Sequence, residues 1–289
     1  MNNQSKLSHR KCEPEQSTLY LVGTPIGNLT DISQRAINIL RNVNLIACED
    51  TRVTLKFLNH LELTNRLISF HAHNYTSRFE IILNELREGN SIALVSDAGM
   101  PLISDPGELL VKVVKSNNFD VICVPGPCAA ITALVSSGLP TSNFTFYGFL
   151  PKNGKERERV LNSIHNNLFT SIVYESPKRI RRFLSEINDL CGGEREISVL
   201  RELTKKYEQN IGTNISEVMK YFEKVEPKGE FTLIIKGCER SEINDDSEIN
   251  NIKEDLIYLT NSGLSHSKAS FYLARKYNIS KNRIYNLLL

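Results

Sequence analysis

Short apolar runs recur along the chain, each ending abruptly in a turn of Gly, Pro or Asp and followed by residues with helical spacing. Examples are Leu19–Val22 before Gly23, Ile92–Val95 before Ser96-Asp97, and Val121–Val124 before Pro125-Gly126. The pattern predicts strands at about 18–23, 44–48, 67–70, 91–95 and 120–124. Helical periods lie between them, as in Phe79-Ile82-Leu83-Leu86 and Leu109-Leu110-Val113-Val114. Strands alternating with helices imply an α/β fold with a largely parallel sheet over residues 18–137. A second α/β unit is expected over 138–237, with strands near 144–148, 170–174, 196–201 and 230–235. Residues 1–17 read as a flexible tail, the acidic stretch 238–251 as a linker, and 252–289 as a small helical unit.

The turns matter more than the strands. In a parallel sheet they fall at the carboxyl edge, where open α/β proteins bind ligands. Glycine there lets backbone N–H and C=O groups approach a small molecule closely. Gly23-Thr-Pro-Ile-Gly27 is not a GxGxxG fingerprint, and nothing matches a P-loop. His71-Ala-His73 is the only close histidine pair; without further ligands at metal spacing it reads as a polar loop, and no metal is expected.

Composition narrows the class. The chain has 289 residues, 40% of them hydrophobic, and 35 Lys plus Arg against 33 Asp plus Glu. A net charge of +2 gives no global argument for a polyanionic partner, so any such argument must be local. Six cysteines without CxxC spacing and a start lacking a basic-then-apolar leader suggest reduced thiols in the cytoplasm. No stretch reaches the roughly 18 apolar residues of a membrane span.

Taken together, the segments TPIGNL, ACEDTR (Ala47–Arg52), VSDAGMPLISDPG (Val95–Gly107), VPGPCAA (Val124–Ala130), GFLPK (Gly148–Lys152), YESPKR (Tyr174–Arg179), RELTK (Arg201–Lys205) and GEFTLII (Gly229–Ile235) are specific. In content and order they resemble the ribosomal RNA small subunit methyltransferase I branch of the tetrapyrrole methylase superfamily, from about Leu19 to Ile235. Cys128 stands where that branch often has Ser, and Met100 where it often has Thr. The resemblance implies two α/β domains enclosing S-adenosylmethionine in a cleft, a homodimer, and 2′-O-methylation of a decoding-centre cytidine in 16S ribosomal RNA. The competing readings are a superfamily methylase with another acceptor, such as a tetrapyrrole carbon, and a non-catalytic ribosome-assembly factor. The SDAG turn, in place of the GDP-type turn of the porphyrin enzymes, argues against the tetrapyrrole acceptor.

By the same resemblance, the cofactor rests against Pro25, Ser96, Asp97, Ala98, Gly99, Ile103, Ala129 and Ala130, and is closed over by Tyr174, Glu175, Gly212 and Thr213. A ribose hydroxyl is a weak acid, so a base or an alkoxide-stabilising cation is expected. Glu49, Asp50, Arg52, Glu175, Arg201, Glu202 and Lys205 are the polar candidates, with Glu175, Lys205 and Asp50 foremost.

Two stretches carry the local charge argument. Between Pro151 and Arg182 there are eight Lys/Arg against three Glu. Lys152, Lys155, Lys178, Arg179 and Arg182, with Arg52, are the expected RNA contacts. From Ser265 to Leu289 there are five Lys/Arg and no acidic residue, interleaved with aromatics. Those tyrosines fit a core as well as they fit base stacking.

Overall fold

The computed structural model describes residues 13–71, 74–238, 246–277, 279 and 281–288. The chain divides into two compact units, residues 1–165 with 169–236, and 166–168 with 237–289. The first unit holds two sheets. Its leading half runs β1 (Thr18–Val22), α1 (Gln34–Asn42), β2 (Leu45–Cys48), α2 (Thr51–His60), β3 (Leu67–Ser69), α3 (Tyr75–Arg87), β4 (Ile92–Val95), α4 (Glu108–Ser116), β5 (Asp120–Val124) and α5 (Ala129–Ser136). The five strands are parallel in the order β3-β2-β4-β1-β5. β2 and β4 are buried along their whole length, as strands covered by helices on both faces must be.

Caps fix where the helices start. Ser33 accepts from the Ala36 N–H at the head of α1, and Asp50 accepts from the Arg52 N–H at the head of α2. Residues 13–17 are not loose. Glu13 pairs with Arg35 at 2.6 Å, and the Glu15 N–H donates to the Tyr20 hydroxyl. Of the stretch read as a tail, residues 1–12 lie outside the described residues.

The second sheet contains β6 (Phe144–Phe149), β7 (Thr170–Glu175), β8 (Ile197–Arg201), β9 (Gln209–Ile211) and β10 (Phe231–Ile235) in the order β6-β7-β10-β8-β9. Helices α6 (Gly154–Asn166), α7 (Ile180–Cys191) and α8 (Ile215–Lys224) pack against it. Only β6 and β7 pair in parallel; the other pairings are antiparallel. β9 escapes the sequence pattern because three residues at a sheet edge carry no readable period. Helix α5, counted with the first domain on sequence, packs Ala130, Ala133 and Leu134 against Ile172, Leu200 and Ile234 of the second sheet. Its apolar face thus ties the two sheets into one body.

The second unit contains α9 (Asp246–Asn261), α10 (His266–Lys276) and α11 (Lys281–Tyr285) around Ile252, Leu256, Ala269, Leu273 and Ile284. α9 begins inside the stretch read as linker, because Ile249, Ile252 and Leu256 recur at helical spacing on its packed face. Residues 239–245 lie outside the described residues.

Candidate active site

The three Gly/Pro turns converge. Thr24 and Gly99 exchange backbone hydrogen bonds of 2.9 and 3.1 Å, which bridges the turns after β1 and β4. Gly23 and Gly126 lie back to back: a Cβ on Gly126 would stand 2.7 Å from the Gly23 Cα. The turns after β1 and β5 therefore touch through backbone alone. Ser96 is buried, and its hydroxyl donates to the Gly99 carbonyl at 3.0 Å, so it shapes the turn.

Between this platform and the second sheet lies a cavity of about 330 Å³. Of the residues expected to hold a cofactor, Asp97, Ala98, Gly99, Ile103, Ala129, Tyr174 and Glu175 line it. Ala130 sits just behind, its N–H donating to the Tyr174 hydroxyl at 3.0 Å, while burial pushes that phenol upward in pKa. Pro25 lines a neighbouring depression instead. Gly212 and Thr213 are elsewhere. The Thr213 carbonyl accepts from the Ile197 N–H at the start of β8, whereas the cavity is lined by Leu200 and Leu203 at the other end of that strand. The antiparallel return of β9 carries those two residues away from the cavity, so neither lines it.

Glu175 is completely buried, and its two oxygens differ. Oε1 accepts from Arg179 Nε at 2.8 Å and from the Ser176 N–H at 2.7 Å. Oε2 has no partner among the described residues. A buried carboxylate oxygen left unsatisfied is costly unless a ligand completes it.

Asp105 is absent from the sequence candidates although it stands within the VSDAGMPLISDPG segment. It reaches the cavity because the loop before α4 reverses through left-handed backbone at Leu102 (φ 74°) and Ser104 (φ 63°), conformations no periodicity reveals. Burial, and then the Glu49 charge, push its carboxyl up to about 6. Burial raises Asp97 and Glu49 as well. The mouth of the first sheet is thus a cluster of carboxylates that resist ionisation, in apolar surroundings that include Ile26, Leu200 and Leu203. Such a lining suits a cation with an apolar body.

The other catalytic candidates are committed. Asp50 caps α2 and pairs with Arg52 at 2.6 Å, which together hold its carboxyl at about 2; it lines neither cavity. Lys205 stands at the rim with Nζ between Glu202 (3.0 Å) and Glu230 (2.9 Å). Its stem fills the space beside Gly27, where a Cβ would lie 2.4 Å from the Lys205 Cγ. The Arg201 Nε donates to the Lys228 carbonyl.

The basic stretch also sorts into two kinds. Lys152, Lys155 and Lys178 are all exposed at the surface. Arg179 is held by Glu175 and the Leu150 carbonyl, and Arg182 by Glu186, Asn153 and the Lys152 carbonyl. Arg157 is fully buried against Glu186. Arg52 remains 85% exposed despite its ion pair. In the helical unit Tyr277 donates to Asp255, while Phe271 and Tyr272 are exposed. No group of three or more His, Cys, Asp or Glu among the described residues is placed to hold a metal, and His73 lies outside them. Among the described residues no helix is long and apolar enough to cross a membrane.

Comparison with known proteins shows the family and the fold. The family model described as Tetrapyrrole (Corrin/Porphyrin) Methylases matches residues 18–219. A ribosomal RNA small subunit methyltransferase I from Synechocystis is 43% identical over 271 residues, covering 94% of this chain and 97% of that protein. The Bacillus subtilis protein of the same name is 40% identical over 275 residues, covering 94% of each. Among solved structures, a cobalt precorrin-4 methyltransferase aligns with TM-score 0.57 at 14% identity, over 76% of this chain and 95% of its own. A Thermus thermophilus uroporphyrin-III C-methyltransferase complexed with S-adenosylhomocysteine aligns with TM-score 0.54 at 18% identity, over 76% and 97%. With its turns, its two sheets and these relatives in agreement, the chain belongs to the ribosomal RNA small subunit methyltransferase I family of the tetrapyrrole methylases.

Proposed function

We propose that this protein is an S-adenosylmethionine-dependent methyltransferase of small-subunit ribosomal RNA, acting on the ribose 2′-oxygen of a decoding-centre cytidine in 16S rRNA. The observation that carries the reading is the cavity with Glu175 Oε2 buried and unpartnered in its wall. S-adenosylmethionine carries a sulfonium, an ammonium and an apolar adenine face. A carboxylate-rich, largely apolar cavity of about 330 Å³ fits that chemistry. When bound, it supplies the methyl group.

The chain's own tasks are to hold the cofactor, position the hydroxyl, take its proton and exclude water. Glu175 Oε2 accepts from a cationic donor of the cofactor, while backbone groups of Ala98, Gly99 and Ala129 approach it without side-chain obstruction. Holding two reactants in line supplies on the order of 7–11 kcal/mol in well-oriented systems. For the proton, a base with pKa near the working pH is most effective. Asp105, pushed up to about 6, meets that requirement, whereas Asp50, held at about 2, is a weak base. Lys205, clamped by two carboxylates, is better placed to position the rim than to stabilise an alkoxide. Lys152, Lys155 and Lys178 meet the RNA backbone. Action as a homodimer in the cytoplasm belongs to the same reading, and sedimentation of the purified protein checks the dimer.

The test is methyl transfer from labelled S-adenosylmethionine to 30S subunits from cells lacking this protein, followed by nucleoside digestion and mass spectrometry. 2′-O-methylcytidine is the expected product. Label at another atom or in another molecule would replace the acceptor. Failure to bind the cofactor would favour a non-catalytic assembly factor.

A further inference from the structure

A second depression, of about 250 Å³, opens between the turn after β1 and the exposed face of α2. It shares one residue with the larger cavity, Asp97. Its walls are of two kinds. Pro25, Val53 and Phe57 present apolar and aromatic surface, and Lys56 and His60 stand exposed on the helix. Arg52, Lys56 and His60 lie four residues apart, so they form one stripe along α2 with steps of about 6 Å. At the inner end, Asp97 Oδ1 accepts from the Asp50 N–H at 3.2 Å, which leaves its other oxygen for a hydroxyl.

We propose that this depression receives the acceptor nucleotide, with the base against Pro25, Val53 and Phe57, the flanking phosphates along the α2 stripe, and the ribose hydroxyl at Asp97. An apolar wall, the cations Arg52 and Lys56 with His60 beyond them, and a single carboxylate match the three parts of a nucleotide: a flat base face, a polyanionic backbone and a hydroxyl donor. The shared position of Asp97 places that hydroxyl on the border of the cofactor cavity. This inference rests on the methyltransferase reading and specifies where its substrate lies. Pro25, expected on sequence to touch the cofactor, becomes an acceptor contact.

The experiment uses the full chain in two measurements. Lys56→Glu and His60→Glu are surface changes that leave the core untouched. The double variant raises KM for 30S subunits about tenfold, by weaker phosphate attraction, with cofactor affinity unchanged by calorimetry. Lys115→Glu, on the exposed face of α4, is the control and leaves KM as it was. Independently of catalysis, a small-subunit RNA fragment carrying 4-thiouridine at the acceptor position should cross-link to the peptide spanning residues 51–60. An unchanged KM with cross-links confined to other segments overturns the assignment while the methyltransferase reading stands. If the wild-type protein methylates no RNA and the fragment fails to cross-link at 51–60, both fall. Cross-linking there without methyl transfer retains the nucleotide site and removes only the reaction.

Discussion

Asp105 and Glu175 show how far one carboxylate departs from another in the same cavity. Asp105 keeps its proton up to about 6 in the fold, against an ordinary value of 3.8. The folded state binds that proton more tightly than the unfolded chain, so stability falls as pH rises from about 4 to 6. At neutral pH the ionised group is then a net cost. Asp105→Asn is expected to stabilise the fold by about 1–1.5 kcal/mol at pH 7, after discounting for its exposed half, while lowering activity and flattening the acidic limb near pH 6. Urea unfolding and a pH–rate profile read the two effects separately. Glu175→Gln keeps the shape but removes the charge behind Oε2; cofactor affinity should fall about tenfold in calorimetry, as when a charge-assisted hydrogen bond is removed. Glu175 is legible in sequence as a candidate because it stands in a distinctive segment, and it lines the cavity. Asp105 is not, since its reach into the cavity depends on two left-handed residues in the preceding loop.

At the scale of elements, the platform depends on turns that meet without side chains. A Cβ at Gly126 would lie 2.7 Å from the Gly23 Cα and 3.0 Å from its carbonyl carbon, and backbone cannot swing aside as a flexible side chain can. Gly126→Ala should therefore cost about 1–3 kcal/mol in urea unfolding and weaken cofactor binding by moving the turn after β1. Wild-type stability in that variant would mean that the two turns are not held together. The strands of the first sheet are readable because each is an apolar run closed by a turn. β9 is not, and with it go Gly212 and Thr213. The direction of a three-residue edge strand is set by its pairing with β8, which no local pattern contains.

For the whole molecule, the charge that matters is what remains after internal pairing. The basic stretch looks uniform in sequence, yet Arg157, Arg179 and Arg182 spend donors on Glu186, Glu175 and backbone carbonyls. Glutamate at Lys152, Lys155 and Lys178 should weaken 30S binding and reduce the slope of log affinity against log salt by roughly 0.7 for each phosphate that is no longer neutralised. An unchanged slope, measured by filter binding from low to high salt, would return these lysines to an ordinary solvated face. By itself the sequence determined the alternation of strands and helices, the α/β class, the three Gly/Pro turns and the family, because each is written in local apolar period and in short motifs. Only the tertiary structure decided which carboxylates share a cavity, which arginines are tied up internally, that α5 bridges both sheets, and that Pro25 and Asp97 border a second depression. Those are contacts between residues far apart in the chain, and they exist only once the sheets close over them.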